Sequence, residues 1–313
     1  MKTIQQSFPE LNRALGCEVY LKREDQHKYG SHKGRSIPFL IKKYFKGERK
    51  KFEDGTDDIG PTYNEFVISS SGNAALSAIH AVQAHNRNNP EKISLRVFIG
   101  LRIDPKKLKM LTAIIEDPKV TLEQVEKPKQ TAFQLEKEND SIKFLRQSTD
   151  DNALLGYYEL ADELNRIPNL QAIFIPTSSG TTAQALGEAF ETIEPSVWGG
   201  EQHPQIHVIQ TTACHPIAQD LDTGVEKTDT SIAGAIVDKV AHRKEHVLEV
   251  IKKTSGSGWI VTDEEIKQAQ DLVKDACKIA TSPNAALSVA GLMKALRNDF
   301  KYDGVVVCLL TGM

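Results

Sequence analysis

The sequence predicts an α/β protein with open, mostly parallel sheets flanked by helices, and three observations carry the prediction. Short β-branched runs recur along nearly the whole chain. Segments with apolar residues at helical spacing separate most of them. Several of the junctions between the two are built from glycine and small hydroxyl residues. Parallel strands need a helix-length crossover, whereas antiparallel strands are joined by short turns, so this alternation points to βαβ units. A chain of 313 residues is long enough for two lobes, each with its own sheet.

In chain order, strands are expected at 17–23 (CEVYLKR), 65–70 (EFVISS), 94–100 (SLRVFIG), 119–125 (KVTLEQV), 172–177 (AIFIPT), 205–211 (QIHVIQT) and 304–310 (GVVVCLL). Helical spacing is clear over 74–84, 152–165 and 264–280. Thr262, followed by Asp263, Glu264 and Glu265, has the pattern of an N-cap with a capping box and an acidic first turn. The charged, Gly- and Pro-containing segment 46–64 reads as an exposed loop, with a lid over a functional site as the other reading.

Composition narrows the functional classes. With 40% hydrophobic and 26% charged residues and a formal net charge of −3, the chain has no basic footprint for nucleic acid or an anionic membrane. No stretch is long and apolar enough to span a bilayer, and the opening MKTIQQSFPEL lacks the apolar run of a signal peptide. Cys17, Cys214, Cys277 and Cys308 are scattered without a CxxC pair, so reduced thiols and a cytoplasmic setting are expected.

Three junctions carry candidate chemistry. One is VISSSGNAALSA, with Ser69, Ser70, Ser71, Gly72 and Asn73; the second is IFIPTSSGTTAQALGEAF, with Ser178, Ser179, Gly180, Thr181 and Thr182. The third, LKREDQHKYGSHKGRS, sets Lys33 between a Gly-Ser-His approach and a Gly-Arg exit. A helix N-terminus leaves backbone N–H groups unpaired and carries partial positive charge, so it suits an anion. Small residues admit that anion, and hydroxyls add donors. Two anion cradles and an isolated lysine are the parts that a phosphate-bearing aldehyde cofactor and an amino-acid carboxylate need.

These stretches resemble the fold-type II pyridoxal-phosphate (PLP) enzymes, the tryptophan synthase β-chain-like superfamily that includes threonine synthase, threonine dehydratase and cysteine synthase. LKREDQHKYGSHKGR is similar to the cofactor-lysine segment, SSGNAA to the carboxylate loop, and the GTT turn with ALGEAF to the phosphate loop as threonine synthases write it. RQSTDDNALLGYYELADEL, QTTACHPIAQ, TSIAGAI and the closing VVVCLLTGM follow in the family's order.

The resemblance implies a two-lobed fold with the active site between the lobes. The larger lobe would comprise 1–35 and 151–313, the smaller 36–150. Lys33 would carry PLP as a Schiff base and shuttle the α and β protons. Asn73 would meet the cofactor's 3′-oxygen, and Ser178, Ser179, Gly180, Thr181 and Thr182 its phosphate. Ser70, Ser71, Gly72, Asn73 and Ala74 would hold the substrate carboxylate, and Thr311 would face the pyridine nitrogen. Lys22 and Lys28 are expected in surface or strand-end roles.

The implied activity is that of a threonine synthase, which turns O-phosphohomoserine and water into threonine and phosphate. The alternatives are a serine/threonine dehydratase or another β-elimination or β-replacement enzyme, or a PLP-binding protein without turnover. Arg35 and His32 are the nearest candidates for binding a leaving phosphate. A homodimer is expected, with no metal, nucleic acid or membrane partner. Several features depart from the commonest family pattern. Ser31-His32-Lys33-Gly34-Arg35 replaces Ser-Phe-Lys-Asp-Arg, the phosphate loop has one glycine, and the Thr-Pro-Leu opening is missing. HRKEH fits an inverted zinc-protease pattern, but His242, Glu245 and His246 lie opposite an apolar stripe of Val240, Val247, Leu248 and Ile251, which favours a solvated face.

Overall fold

The computed structural model describes residues 2–47, 49–51, 57–59, 62–193 and 203–312. The rest of segment 46–64 lies outside them. The chain divides into two compact units, Met1–His27 with Tyr157–Met313, and Lys28–Gly156.

The chain starts in the larger unit with β1 (Gln5–Ser7), α1 (Pro9–Leu15) and β2 (Val19–Lys22). The smaller unit follows with α2 (Lys33–Lys46), β3 (Arg49–Lys51), β4 (Asp57–Ile59), β5 (Glu65–Ser69), α3 (Asn73–Asn88) and β6 (Ser94–Gly100). It is completed by α4 (Pro105–Ala113), β7 (Val120–Val125), α5 (Pro128–Glu138), β8 (Ile142–Phe144) and α6 (Asn152–Leu155). The chain then returns to the larger unit through α7 (Tyr158–Leu164), β9 (Leu170–Pro176), α8 (Thr181–Thr192) and β10 (Gln205–Thr211). It ends with α9 (Lys244–Lys253), β11 (Gly258–Val261), α10 (Asp263–Cys277), α11 (Pro283–Arg297) and β12 (Val305–Leu309).

The smaller unit's main sheet has the order β7-β6-β5-β8 and is parallel throughout. The larger unit's sheet has the order β1-β2-β12-β9-β10-β11, parallel except for the edge strand β1. Strands covered on both faces are apolar throughout rather than alternating, and β11 and β12 are buried at every position.

Four expectations are corrected. Segment 46–64 is not simply a loop, because β3 and β4 pair antiparallel within it. The helical pattern over 152–165 is split into α6 and α7 at Gly156, where a Cβ would stand 2.5 Å from Ser36 Cα. That close approach, with the packing of α2 on α3 and α6, also explains the unit boundaries. Residues 28–35 and 151–156 belong with α2 in the smaller unit, so Lys33 lies there and not in the larger one. Finally, Val240 precedes α9 and is 66% exposed, so it is no part of that helix's apolar stripe. The capping box at Thr262 is formed on both sides.

Lys22 ends β2 but has no surface role, since it is fully buried in the larger unit. Its Nζ donates to Glu163 Oε2, to the Thr3 carbonyl at 3.1 Å and to Gln5 Oε1 at 3.2 Å. Thr3 in turn donates to the buried Glu24 carboxylate. Removing one partner from a buried ion pair strands the other charge. Lys22→Met should therefore lower the unfolding free energy by roughly 3–5 kcal/mol in urea titrations, with part of the loss recovered when Glu163→Leu is added.

His207 on β10 is also fully buried, stacked on Phe174 at 4.4 Å between centroids. Its Nδ1 accepts from Ser257 N–H at 3.1 Å and Trp259 Nε1–H at 3.2 Å. Both of these groups only donate, so the proton sits on Nε2, opposite Gln205 Oε1 and the Tyr302 hydroxyl. Burial pushes the imidazole pKa down to about 3. The unfolded chain takes up this proton near pH 6.5 while the folded one refuses it. Stability from this site is therefore full above pH 6.5 and lost as pH falls toward 3. Wild type should lose up to about 1.4 kcal/mol more per pH unit across that window than His207→Phe, measured by denaturation at stepped pH.

Candidate active site

Lys33 is the first residue of α2 and is half-buried. Its backbone N–H donates to Ser31 Oγ at 3.3 Å. Gly34 and Arg35 N–H groups bond the Ser31 and His32 carbonyls at 2.9 and 3.1 Å. Ser31, His32, Gly34 and Arg35 are all buried, so the lysine stem leaves a firmly held turn. Gly30 sits at φ +76°, where a side chain is disfavoured, and a Cβ there would stand 2.8 Å from Leu76 Cδ2. Ser77 Oγ donates to the Tyr29 carbonyl at 3.4 Å. The approach to Lys33 therefore lies against α3, whose first residue is Asn73. Lys28 is exposed, its amine 4.8 Å from the Tyr29 ring centroid.

The turn between β5 and α3 holds Ser70, Ser71, Gly72, Asn73 and Ala74, all partly exposed. Ser70 Oγ accepts the Gly72 N–H at 3.2 Å. Gly72 is the N-cap and offers no side chain, and a Cβ on it would meet nothing within 4 Å. Donors at this helix start thus border open space. On the next turns of the same helix, His80 stacks on Tyr29, and burial pushes its pKa below the usual imidazole value.

The larger unit gathers the other candidates. Thr177 leaves β9 with its N–H on the Ile209 carbonyl at 2.8 Å and its hydroxyl on the Ile175 carbonyl at 2.7 Å. Gly180, at φ +89°, caps α8 without a side-chain bond, and Ser179 and Thr181 hydroxyls lie 2.9 Å apart. Thr182 is buried in the helix's first turn. Ser178 Oγ accepts two backbone N–H groups, from Val237 and Asp238, at 3.1 Å each. Thr311, 4% exposed, follows β12. Because β12 pairs in parallel with β9, Thr311 and the 178–182 turn leave adjacent strands at one carboxyl edge.

Arg243 was not singled out by its sequence context, yet it is buried beneath this turn. Its Cβ lies 3.4 Å from where a Gly180 Cβ would stand, and its Nη1 donates to Gln184 Oε1 at 3.0 Å. The signal was the i, i+4, i+7 spacing of Arg243, Val247 and Val250, which puts the arginine on the buried side of α9. His242, Glu245 and His246 are exposed. Among the described residues no group of three or more His, Cys, Asp or Glu side chains could hold a metal ion, and no helix is long and apolar enough to cross a membrane.

The profile of the pyridoxal-phosphate dependent enzymes matches residues 2–312. The chain belongs to that family. A threonine synthase of Methanocaldococcus jannaschii is 26% identical over 96% of this chain and 72% of its own length. A catabolic L-threonine dehydratase of Staphylococcus aureus is 27% identical over 48% of this chain and 42% of its own. Maize serine racemase shares the fold, with a TM-score of 0.75 at 15% identity, over all of this chain and 88% of that one.

The cofactor of this family member is pyridoxal 5′-phosphate, and the donor set fits it. The fit consists of a lysine at a helix start, a glycine-capped helix start with hydroxyls for a dianion, and a buried neutral hydroxyl. Gly180 is the tightest requirement, because a Cβ there would stand 2.7 Å from Val247 Cγ2 as well as needing φ +89°. Gly180→Ala should cost about 1–2 kcal/mol from the backbone conformation alone and weaken PLP uptake, read by thermal melting and visible absorbance titration.

Proposed function

We propose that this enzyme is a threonine synthase, releasing phosphate from O-phosphohomoserine and adding water to give threonine. The observation that carries the reading is the near end-to-end match to a threonine synthase, against a dehydratase match over half the chain. Bound PLP would supply the electron sink that makes protons on the amino acid's carbons removable. The chain's own residues do the rest. Lys33 holds the cofactor through its amine and, when released, moves protons at the substrate's α and β carbons. The Ser70–Ala74 turn binds the substrate carboxylate at the α3 N-terminus, and Asn73 orients the cofactor's 3′-oxygen.

The turn from Ser178 to Thr182 takes the cofactor phosphate. Thr311 faces the pyridine nitrogen with a neutral hydroxyl, which does not hold a proton there as an aspartate would and so favours elimination and replacement over transamination. Arg35 and His32, flanking Lys33, are the cationic candidates for the leaving phosphate. The proposal extends to a homodimer working in the cytoplasm.

The test is visible absorbance of the PLP-loaded protein on adding O-phosphohomoserine, with phosphate release followed in the same cuvette. A spectral change with phosphate appearing supports the proposal, and Lys33→Ala should cut the release at least about a thousandfold while leaving the fold intact. A spectrum indifferent to that compound, with ammonia released from serine or threonine, would replace it with a dehydratase.

A further inference from the structure

Between β10 and α9, residues 225–241 form no regular structure, yet they are fastened at several points. Thr228 N–H bonds the Thr212 carbonyl at 3.2 Å, and the two threonine hydroxyls meet at 2.8 Å. Ser231 Oγ donates to Asp263 Oδ1 at 2.6 Å, and Ile232 N–H bonds the same carboxylate. Ala235 N–H donates to Asn284 Oδ1 at 3.0 Å. Val237 and Asp238 N–H groups end on Ser178 Oγ. Asp263 opens α10 and Asn284 lies in the first turn of α11, while Ser178 precedes α8. Gly312, just beyond β12, accepts from Ser282 at the start of α11. The segment is therefore a strap laid along the carboxyl edge of the larger unit's sheet. Ala233 and Ile236 anchor it in the core, whereas Val237 is 66% and Ile232 40% exposed.

Ser178 is the only one of these fasteners that also belongs to the candidate phosphate turn. A hydroxyl oxygen has two lone pairs and one proton. Both lone pairs are taken by the strap's N–H groups, so the proton is directed away from the strap, and it has no acceptor among the described residues.

We propose that Ser178 is a positioning residue that couples phosphate binding to the order of the strap: its proton donates to an anion held at 178–182, and its oxygen holds Val237 and Asp238. This rests on the reading that the 178–182 turn takes the PLP phosphate. Without the anion, the hydroxyl has no acceptor to fix its rotamer, and the two strap bonds loosen. With it, donation polarises the oxygen and strengthens both bonds it accepts. Cofactor loading thus sets the wall of the sheet edge on which Ile232 and Val237 stand.

Hydrogen-exchange mass spectrometry on a peptide covering 230–241 tests the coupling. In wild type, PLP should slow exchange at Val237 and Asp238 at least tenfold relative to the cofactor-stripped protein, whereas pyridoxal, which lacks the phosphate, should not. Ser178→Ala should exchange rapidly whether or not PLP is bound, and Ser178→Thr should restore the response. Protection that is the same in stripped and PLP-loaded wild type, or a Ser178→Ala strap that responds to PLP like wild type, overturns the coupling while leaving the phosphate turn in place. Equal affinities for PLP and pyridoxal, read from absorbance titrations, remove the phosphate turn itself and the coupling with it.

Discussion

Parallel strand pairing is the constraint from which the rest of this structure follows. A parallel strand must hand the chain to a crossover, and the helix that starts there presents its unpaired N–H groups at the carboxyl edge of the sheet. Both units obey this, at the junction from β5 to α3 in one and from β9 to α8 in the other. Two kinds of helix start stand apart among them. Those of α10, α11 and α4 are closed by their own Thr262, Ser282 and Asp104 side chains. Those of α3 and α8 are capped by Gly72 and Gly180, which bring no side chain, and are bordered by serine and threonine hydroxyls. A closed start spends donors on its own side-chain cap, whereas a glycine cap brings no side-chain acceptor of its own.

Donors at a loop are useful only if the loop is held still, and buried polar groups do that work. Thr177, the last residue before the candidate phosphate turn, is bonded through its N–H, hydroxyl and carbonyl; the third bond comes from Gln210 Nε2 at 3.2 Å. Gln210 Oε1 meanwhile accepts from Ile217 and Ala218 N–H groups, each at 2.9 Å, tying a following loop to the same strand. Arg243 underpins the turn from the other side through Gln184. In the smaller unit, Gly30 against Leu76 and Ser77 against Tyr29 fix the lysine segment onto α3. Positioning by packed elements rather than by the loops themselves is what keeps such a site in register.

What was legible in the sequence was local. The strands at 94–100 and 205–211 have the expected bounds, because each is a long β-branched run between turn residues. The capping box at Thr262 was equally plain, since caps depend on residues three or four positions apart. Features that depend on distant partners were not legible. β1, β8 and β11 have only three or four residues each, too few for a periodic signal. The burial of Lys22 depends on Glu163, 141 positions away. The division between the units follows from Gly156 meeting Ser36, a contact that no window of sequence contains. The strap is the extreme case, its acceptors coming from four places far apart in the chain, Ser178, Thr212, Asp263 and Asn284.

The same distinction explains why cofactor and reaction type differ in how easily they are read. The cofactor asks for a lysine, an anion cradle and a neutral hydroxyl, and each is written in a few consecutive residues. The proposed phosphate release and its dehydratase alternative differ in the group that departs, so the residues that decide between them answer to that distal group. A phosphate leaving group asks for a fixed positive charge, the kind a guanidinium supplies. A small neutral side chain asks only for apolar surface. Neither demand is met by a motif of a few consecutive residues, which is why the reaction is harder to read from the sequence than the cofactor.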